Sequence, residues 1–155
     1  RGGFNNTHGT ALSGFVVESV LNKAKVSPDL VDDVIMGCAM PEAETGHNVG
    51  RNAALWAGCP VTTSGTTVNR FCSSGLQAVA MAAHSIVVDN AKCAIGGGVD
   101  SISLVSPKVA KNTVVEKKLY KSYPAIWMPM IETADLVAKR YGTVLSFPSF
   151  TLSCL

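Results

Sequence analysis

Between Thr66 and Gly98 the chain passes through a β-branched segment, a long one-faced helix and a short apolar segment that ends in three glycines. Few folds accommodate that order. Thr66 to Phe71 reads as a strand. Ser73 to Val88 reads as a helix in which Leu76, Val79, Ala80, Ala83, Ile86 and Val87 share one broad face. Cys93-Ala94-Ile95 reads as a buried strand running into a glycine turn at Gly96-Gly97-Gly98. Upstream, residues 10–25 have the period of an amphipathic helix, with Leu12, Phe15, Val16, Val20, Leu21 and Ala24 inward. After a turn at Ser27-Pro28, Val34-Ile35-Met36 is a brief buried strand ending at Gly37. Gly46 to Gly58 is a second helix with Val49, Ala53 and Trp56 inward, which Gly58 and Cys59-Pro60 terminate. The recurring strand–helix–strand order predicts an α/β fold with a layered sheet.

Residues 106–130 change character. Pro107, Pro124 and Pro129 punctuate them and lysines gather there, so they read as a loop or small insertion. Ile131 to Tyr141 reads as a short helix with Ala134, Val137 and Ala138 inside. From Gly142 to Leu155 there is neither a charged residue nor a period.

Composition narrows the function classes. The 155 residues are 47% hydrophobic and 15% charged, a globular balance slightly poor in charge, which predicts that part of the surface is covered by another domain, subunit or length of chain. A net charge of +2 with no long basic run argues against nucleic acid as a partner. No apolar stretch is long enough to span a bilayer, so no membrane role is expected. The chain begins at Arg1 with no visible signal peptide, although a targeting segment is compatible with that start. The five cysteines, Cys38, Cys59, Cys72, Cys93 and Cys154, fit neither a zinc spacing nor a CxxC pair, which predicts free thiols in a reducing compartment and no metal. Four of them read as small buried hydrophobes.

Cys72 is the exception. In Val68-Asn69-Arg70-Phe71-Cys72-Ser73-Ser74-Gly75-Leu76 a strand ends, a cysteine follows and a long helix begins at once. The first N–H groups of a helix lack partners within it and the helix dipole is positive there, so a thiolate is stabilised and an oxyanion formed by its attack on a carbonyl finds donors. Ser73, Ser74 and Gly75 leave room for substrate at the tip, or else serve close packing. The residues alone also allow a buried capping cysteine.

The run from Val68 to Ile86 resembles the acyl-enzyme signature of thiolases, V-N-x-x-C-S-S-G-L-x-A-V followed after six residues by an aliphatic. Other segments resemble the same family in the same order. Arg1-Gly2-Gly3-Phe4 resembles the end of R-T-P-F-G-x-F-G-G, and Val34 to Gly37 matches V-I-M-G. Gly46 to Ala54 resembles G-Q-N-x-A-R-x-A-A with His47 for the glutamine, and Gly96 to Ser103 resembles A-G-G-V-E-S-M-S. Met130 to Tyr141 resembles the helix after the family's loop domain. The resemblance implies the N-terminal half of a five-layered αβαβα architecture. It implies an acyltransferase in which the cysteine matching Cys72 takes the acyl group of a 3-ketoacyl-CoA, releases acetyl-CoA and passes the acyl group to coenzyme A. The reverse Claisen condensation follows from the same chemistry. Coenzyme A is then a substrate, no cofactor is required, and the full-length protein is expected to be a homodimer or homotetramer inside the cell, in a mitochondrion, a peroxisome-like organelle or the cytosol. By position Met130 resembles a methionine lining the pantetheine channel, although Pro129 and Ile131 depart from the usual H-M-G; a methionine packed in a loop is the competing and favoured reading.

The family's second half carries a histidine in G-H-P and a second cysteine in C-x-G-x-G, and neither motif occurs in these 155 residues. His8, His47 and His84 match no catalytic position. Residues 1–142 therefore read as an incomplete thiolase N-terminal domain whose first strand is missing, inactive alone. Residues 143–155 read as a non-family tail of the kind a frameshift or truncated gene copy produces, and they do not look helical. The tail ends in Ser153-Cys154-Leu155, similar to the peroxisomal S-K-L address. Lys108, Lys111, Lys117, Lys118 and Lys121, opposed by Glu116, read as a solvated basic loop, with proximity to coenzyme A phosphates as the alternative. Two other readings compete: a ketoacyl synthase of the same fold, and a catalytically dead fragment that at most binds other chains.

Overall fold

Among the described residues, three short parallel strands in the order β2-β1-β3 form a sheet: β1, Asp33–Gly37; β2, Ser64–Val68; β3, Ala94–Gly98. The computed structural model describes residues 2–109 and 115–142. They belong to two bodies, Gly2–Val109 and one formed from the residues beyond it. In the first body α1 (Gly9–Ala24) precedes β1, α2 (Val49–Trp56) joins β1 to β2, α3 (Ser74–Val87) joins β2 to β3, and α4 (Ile102–Val105) follows. The connection from β1 to β2 steps one way along the sheet and that from β2 to β3 steps back across β1. Crossovers of one hand must then place α2 and α3 on opposite faces.

The core follows from the two-residue alternation of β1. Val34 and Met36 face α1 and α2, where they pack with Val17, Leu21, Val49, Ala53 and Ala54. Ile35 faces the other way, onto Ala78 and Ala82 of α3. The result is a three-layer α/β arrangement consistent with part of the thiolase-like architecture that the motifs imply.

The packed helix faces differ from the expected ones. On α1 the buried residues are Gly9, Ser13, Gly14, Val17 and Leu21, whereas Phe15 is 61% exposed and Val16, Val20 and Ala24 are also exposed. On α3 the buried residues are Ser74, Ala78 and Ala82, whereas Leu76 is 75% exposed and Val79, Ala83, Ile86 and Val87 are open. Close approach of backbones selected the small residues and left the large ones outward. Trp56, expected inward, lies across the Gly14 backbone with one face and is 47% exposed; Ala54 takes the buried place. The glycines Gly96 to Gly98 are not a turn but most of β3. A Cβ on Gly96 would fall 2.7 Å from the Cα of Val79, so glycine is what allows α3 to lie on the strand.

In the second body, α5 (Lys117–Ser122) and a short 3₁₀ turn at Pro124–Trp127 occupy part of the stretch read as a loop or small insertion, and α6 (Met130–Tyr141) is the helix expected from Ile131 to Tyr141. Tyr120 and Trp127 stack at a tilt, 6.1 Å between centroids. Ala134 and Val137 are exposed and Ala138 half-buried, so the expected inner face of α6 is open. Among the described residues no helix is long and apolar enough to cross a membrane. The readings for residues 143–155, the Ser153-Cys154-Leu155 terminus included, lie outside the described residues, as does Lys111.

Glu116 caps α5 by accepting the N–H groups of Lys118 (3.0 Å) and Leu119 (2.7 Å). These bonds hold its carboxyl below the ordinary 4.5. A depressed value means that the cap persists at neutral pH and is lost as pH falls through the folded value. The amide resonances of Lys118 and Leu119 should move together with an NMR midpoint below 4.5; a midpoint at or above it would show that the cap is absent.

Candidate active site

Cys72 sits where the sheet's two connections diverge. The chain leaves β1 towards one face and leaves the neighbouring β2 towards the other, and the carboxyl edge between such strands is where α/β sheets open a crevice. Between Val68 and Ser74 the chain makes a sharp elbow. Phe71 lies in the left-handed region at φ 48°, which costs a side-chain-bearing residue about 1–3 kcal/mol and needs compensation. Asn69 supplies some of it: its Oδ1 accepts the Phe71 N–H at 2.8 Å. Ser74 supplies more, since its Oγ accepts the Arg70 N–H at 2.9 Å and donates to the Phe71 carbonyl.

This elbow refines the expected helix start. Cys72 occupies the middle of a 3₁₀ turn, Phe71–Ser73, and the α-helix begins at Ser74. The Ser73 N–H is taken by the Arg70 carbonyl (3.1 Å) and the Ser74 N–H by that of Phe71, so the tip offers fewer free donors than a bare helix start. Of the three small residues after Cys72, only Ser73 is exposed. Ser74 and Gly75 pack closely on the strand ends: a Cβ on Gly37 would fall 2.2 Å from the Ser74 carbonyl carbon, and one on Gly98 would fall 3.2 Å from the Gly75 Cα. Beside the elbow a shallow depression of about 270 Å³ is lined by Arg70, Ser73, Leu76, Gln77 and Ala80.

Cys72 is exposed, whereas Cys38 and Cys59 are buried and Cys93 is half-buried. Burial, reinforced by the Asp100 carboxylate, pushes the Cys38 thiol from 9.0 up to about 11, and burial likewise raises Cys59. Limited alkylation with iodoacetamide at pH 8, followed by peptide mapping, should therefore label Cys72 before Cys38 or Cys59; the reverse order would remove the case for Cys72. The raised value has a second consequence. The unfolded chain loses the Cys38 proton near 9.0 while the folded chain keeps it to about 11, so this residue's contribution to stability is intact below pH 9 and declines as pH rises towards 11.

The profile of the family described as "Thiolase, N-terminal domain" matches residues 1–143. The chain belongs to the thiolase family. Relatives with which this thiolase chain shares sequence include a 3-ketoacyl-CoA thiolase of Bacillus subtilis, 43% identical over 84% of this chain and 33% of the relative. A beta-ketoadipyl-CoA thiolase of Acinetobacter baylyi is 40% identical over 72% and 32%, and an acetyl-CoA acetyltransferase of Chromobacterium violaceum is 36% identical over 91% and 38%. The chain thus spans about a third of the length of the curated relatives it matches. Membership decides against the ketoacyl-synthase reading of the same motifs.

The remaining sequence candidates fall in varied places. Met130 is the first residue of α6 and is 70% exposed, so it is not the packed loop methionine that was favoured. Lys108 pairs with Glu44, and Lys117, Lys118 and Lys121 are exposed on α5, a helix where a loop was expected. His8 caps α1, His47 precedes the α2 cap Asn48, and His84 lies at the opposite end of α3 from Cys72. Asn48 binds α2 to β2, donating from Nδ2 to the Gly65 carbonyl (2.8 Å) and accepting from Thr67 Oγ1 (2.9 Å). Sequence reasoning assigned no role to Asn69 or Asp100. Their signal was their place in the V-N-x-x-C and G-G-V-D-S runs, but their partners are backbone groups that no motif displays.

Proposed function

We propose that the complete protein is an acyltransferase that cleaves 3-ketoacyl-CoA with coenzyme A, or runs the reverse condensation, through an acyl-cysteine at Cys72. The observation that carries this reading is the placement of Cys72: exposed, on a backbone elbow braced by Asn69 and Ser74, in a chain of the thiolase family. In the proposed reaction the Cys72 thiolate attacks the 3-keto carbon. The bond between C2 and C3 breaks, the acetyl-CoA carbanion takes a proton, and the thiol of coenzyme A then displaces the acyl group from sulfur. Thiol, thioester and coenzyme A suffice, with no metal or prosthetic group.

Met130, exposed at the head of α6, is proposed to line the pantetheine channel, and the full-length enzyme is proposed to assemble as a homodimer or homotetramer. Free thiols at Cys38, Cys59, Cys72 and Cys93 support a reducing compartment inside the cell. The test uses the complete protein with acetoacetyl-CoA and coenzyme A. Loss of the acetoacetyl-CoA absorbance should be abolished by Cys72→Ala, and quenched wild-type protein should carry an acetyl mass on the Cys72 peptide. Turnover that survives Cys72→Ala would sink the proposal.

A further inference from the structure

Three loops leave the carboxyl edge of the sheet, and a hydrogen-bonded line runs through all of them. Asp100, two residues past β3, places its carboxylate against the turn after β1. Both oxygens lie 3.1 Å from the Ala39 N–H, Oδ1 accepts the Met40 N–H at 3.0 Å, and the same oxygen accepts from Cys38 Sγ at 3.4 Å. Successive N–H groups closing on one carboxylate form a fixed clamp that sets the orientation of the Ala39 peptide. The Ala39 carbonyl in turn accepts the Asn69 Nδ2–H at 3.2 Å. That bond fixes which way the Asn69 amide faces, so its Oδ1 points at the Phe71 N–H, 2.8 Å away. Phe71 is the residue held at φ 48°, immediately before Cys72.

We infer that Asp100 and Asn69 are positioning residues for Cys72, with Asp100 acting through the Ala39 peptide and Asn69 to hold the elbow that presents the thiol. The inference rests on the reading of Cys72 as the acyl acceptor for its purpose, but not for its physics. The alternative at the helix start, a Phe71 that relaxes to negative φ, swings Cys72 out of line with α3. The helix-start field that favours the sulfur anion then acts on it less.

The sign of the effect separates this relay from simple electrostatics. Asp100 is an anion, and removing it through Asp100→Ala takes negative charge away from the sheet edge. A through-space effect would therefore speed reaction at the Cys72 sulfur, whereas loss of the relay slows it. The measurement is the iodoacetamide rate of Cys72 at pH 8 in the full 155-residue chain at low micromolar concentration, read by peptide mass spectrometry, with a thermal transition recorded for each variant. Asn69→Ala and Asp100→Ala should each lower the rate roughly three- to tenfold, the range one net hydrogen bond supports. The double variant should be no slower than Asn69→Ala alone, because the line is already cut. Asp100→Glu, which keeps a carboxylate, should return most of the rate. If Asp100→Ala loses its thermal transition, Asp100→Asn carries the same test of sign with a smaller drop.

An unchanged or faster rate in the Asp100 variants, or fully additive effects in the double variant, would overturn the relay. In the complete protein the same variants should lower kcat with KM little changed. Absence of turnover in the wild type would defeat the proposed reaction while leaving the alkylation result to decide the relay.

Discussion

The 155-residue polypeptide, purified by itself, should leave acetoacetyl-CoA intact in the presence of coenzyme A. Acylation needs a thiolate at Cys72, and the elbow and helix start supply part of what makes one. Deacylation needs a base for the incoming thiol and donors for a second oxyanion. The family places these in its G-H-P and C-x-G-x-G motifs, which the 155 residues lack. His84, at the far end of α3, cannot reach the sulfur to substitute. A missing general base costs a factor of about a hundred to ten thousand, and missing oxyanion donors cost about a hundred to a thousand more. Turnover should therefore fall below detection. The polypeptide should also self-associate at high concentration, because Phe15 and Val16 of α1 and Leu76 and Val87 of α3 stand open to water. Turnover that vanishes in Cys72→Ala would contradict the expectation and show that another group on this chain serves as base.

Gly37→Val should be the most damaging single substitution for folding. The added Cβ would lie 2.2 Å from the carbonyl carbon of Ser74 and 2.4 Å from the nitrogen of Gly75. Both obstacles are backbone, so no side-chain rotation relieves them. The only escapes are to lift α3 off the sheet, which opens the Ile35–Ala78–Ala82 core, or to distort β1 at the centre of the sheet. A loss of more than about 3 kcal/mol is expected, the upper end for overpacked cores. That corresponds to a thermal midpoint lowered by more than about 12 °C for a body of this size. Gly3→Ala, whose new carbon meets nothing within 4 Å, is the matched control and should change stability by no more than about 0.5 kcal/mol. Equal melting of the two variants would show that α3 does not rest on β1 as described.

The strands and the elbow were legible in the sequence because their signals are local. Val34-Ile35-Met36 alternates between two buried faces, and a cysteine between a β-branched run and a long helix has few places to go. The packed faces of α1 and α3 were misread for one shared reason. Hydrophobic periodicity ranks side chains by their own size and polarity, whereas these helices approach their neighbours through Gly14, Ala78 and Ala82, where small size sets the distance. The same bias turned Gly96 to Gly98 into a turn, although they are strand residues that admit Val79. The left-handed Phe71 was invisible because propensity assigns that conformation to glycine or asparagine. Here it is imposed by Asn69 and Ser74 from either side.

The order β2-β1-β3 also dictates what happens while the chain is being made. Of the three described strands the central one is synthesised first, and its last partner pair with β3, Gly37 with Gly98, joins residues sixty-one positions apart. At ribosomal speeds of about 5–20 residues per second, β1 waits roughly 3–12 s for β3 after it emerges, with one edge of its backbone unpaired. Val34 and Met36 can already pack on α1 and α2, which precede β3 in the chain, so Ile35 is the β1 side chain left open until α3 follows, beside a long-range pairing that cannot be hastened by local structure.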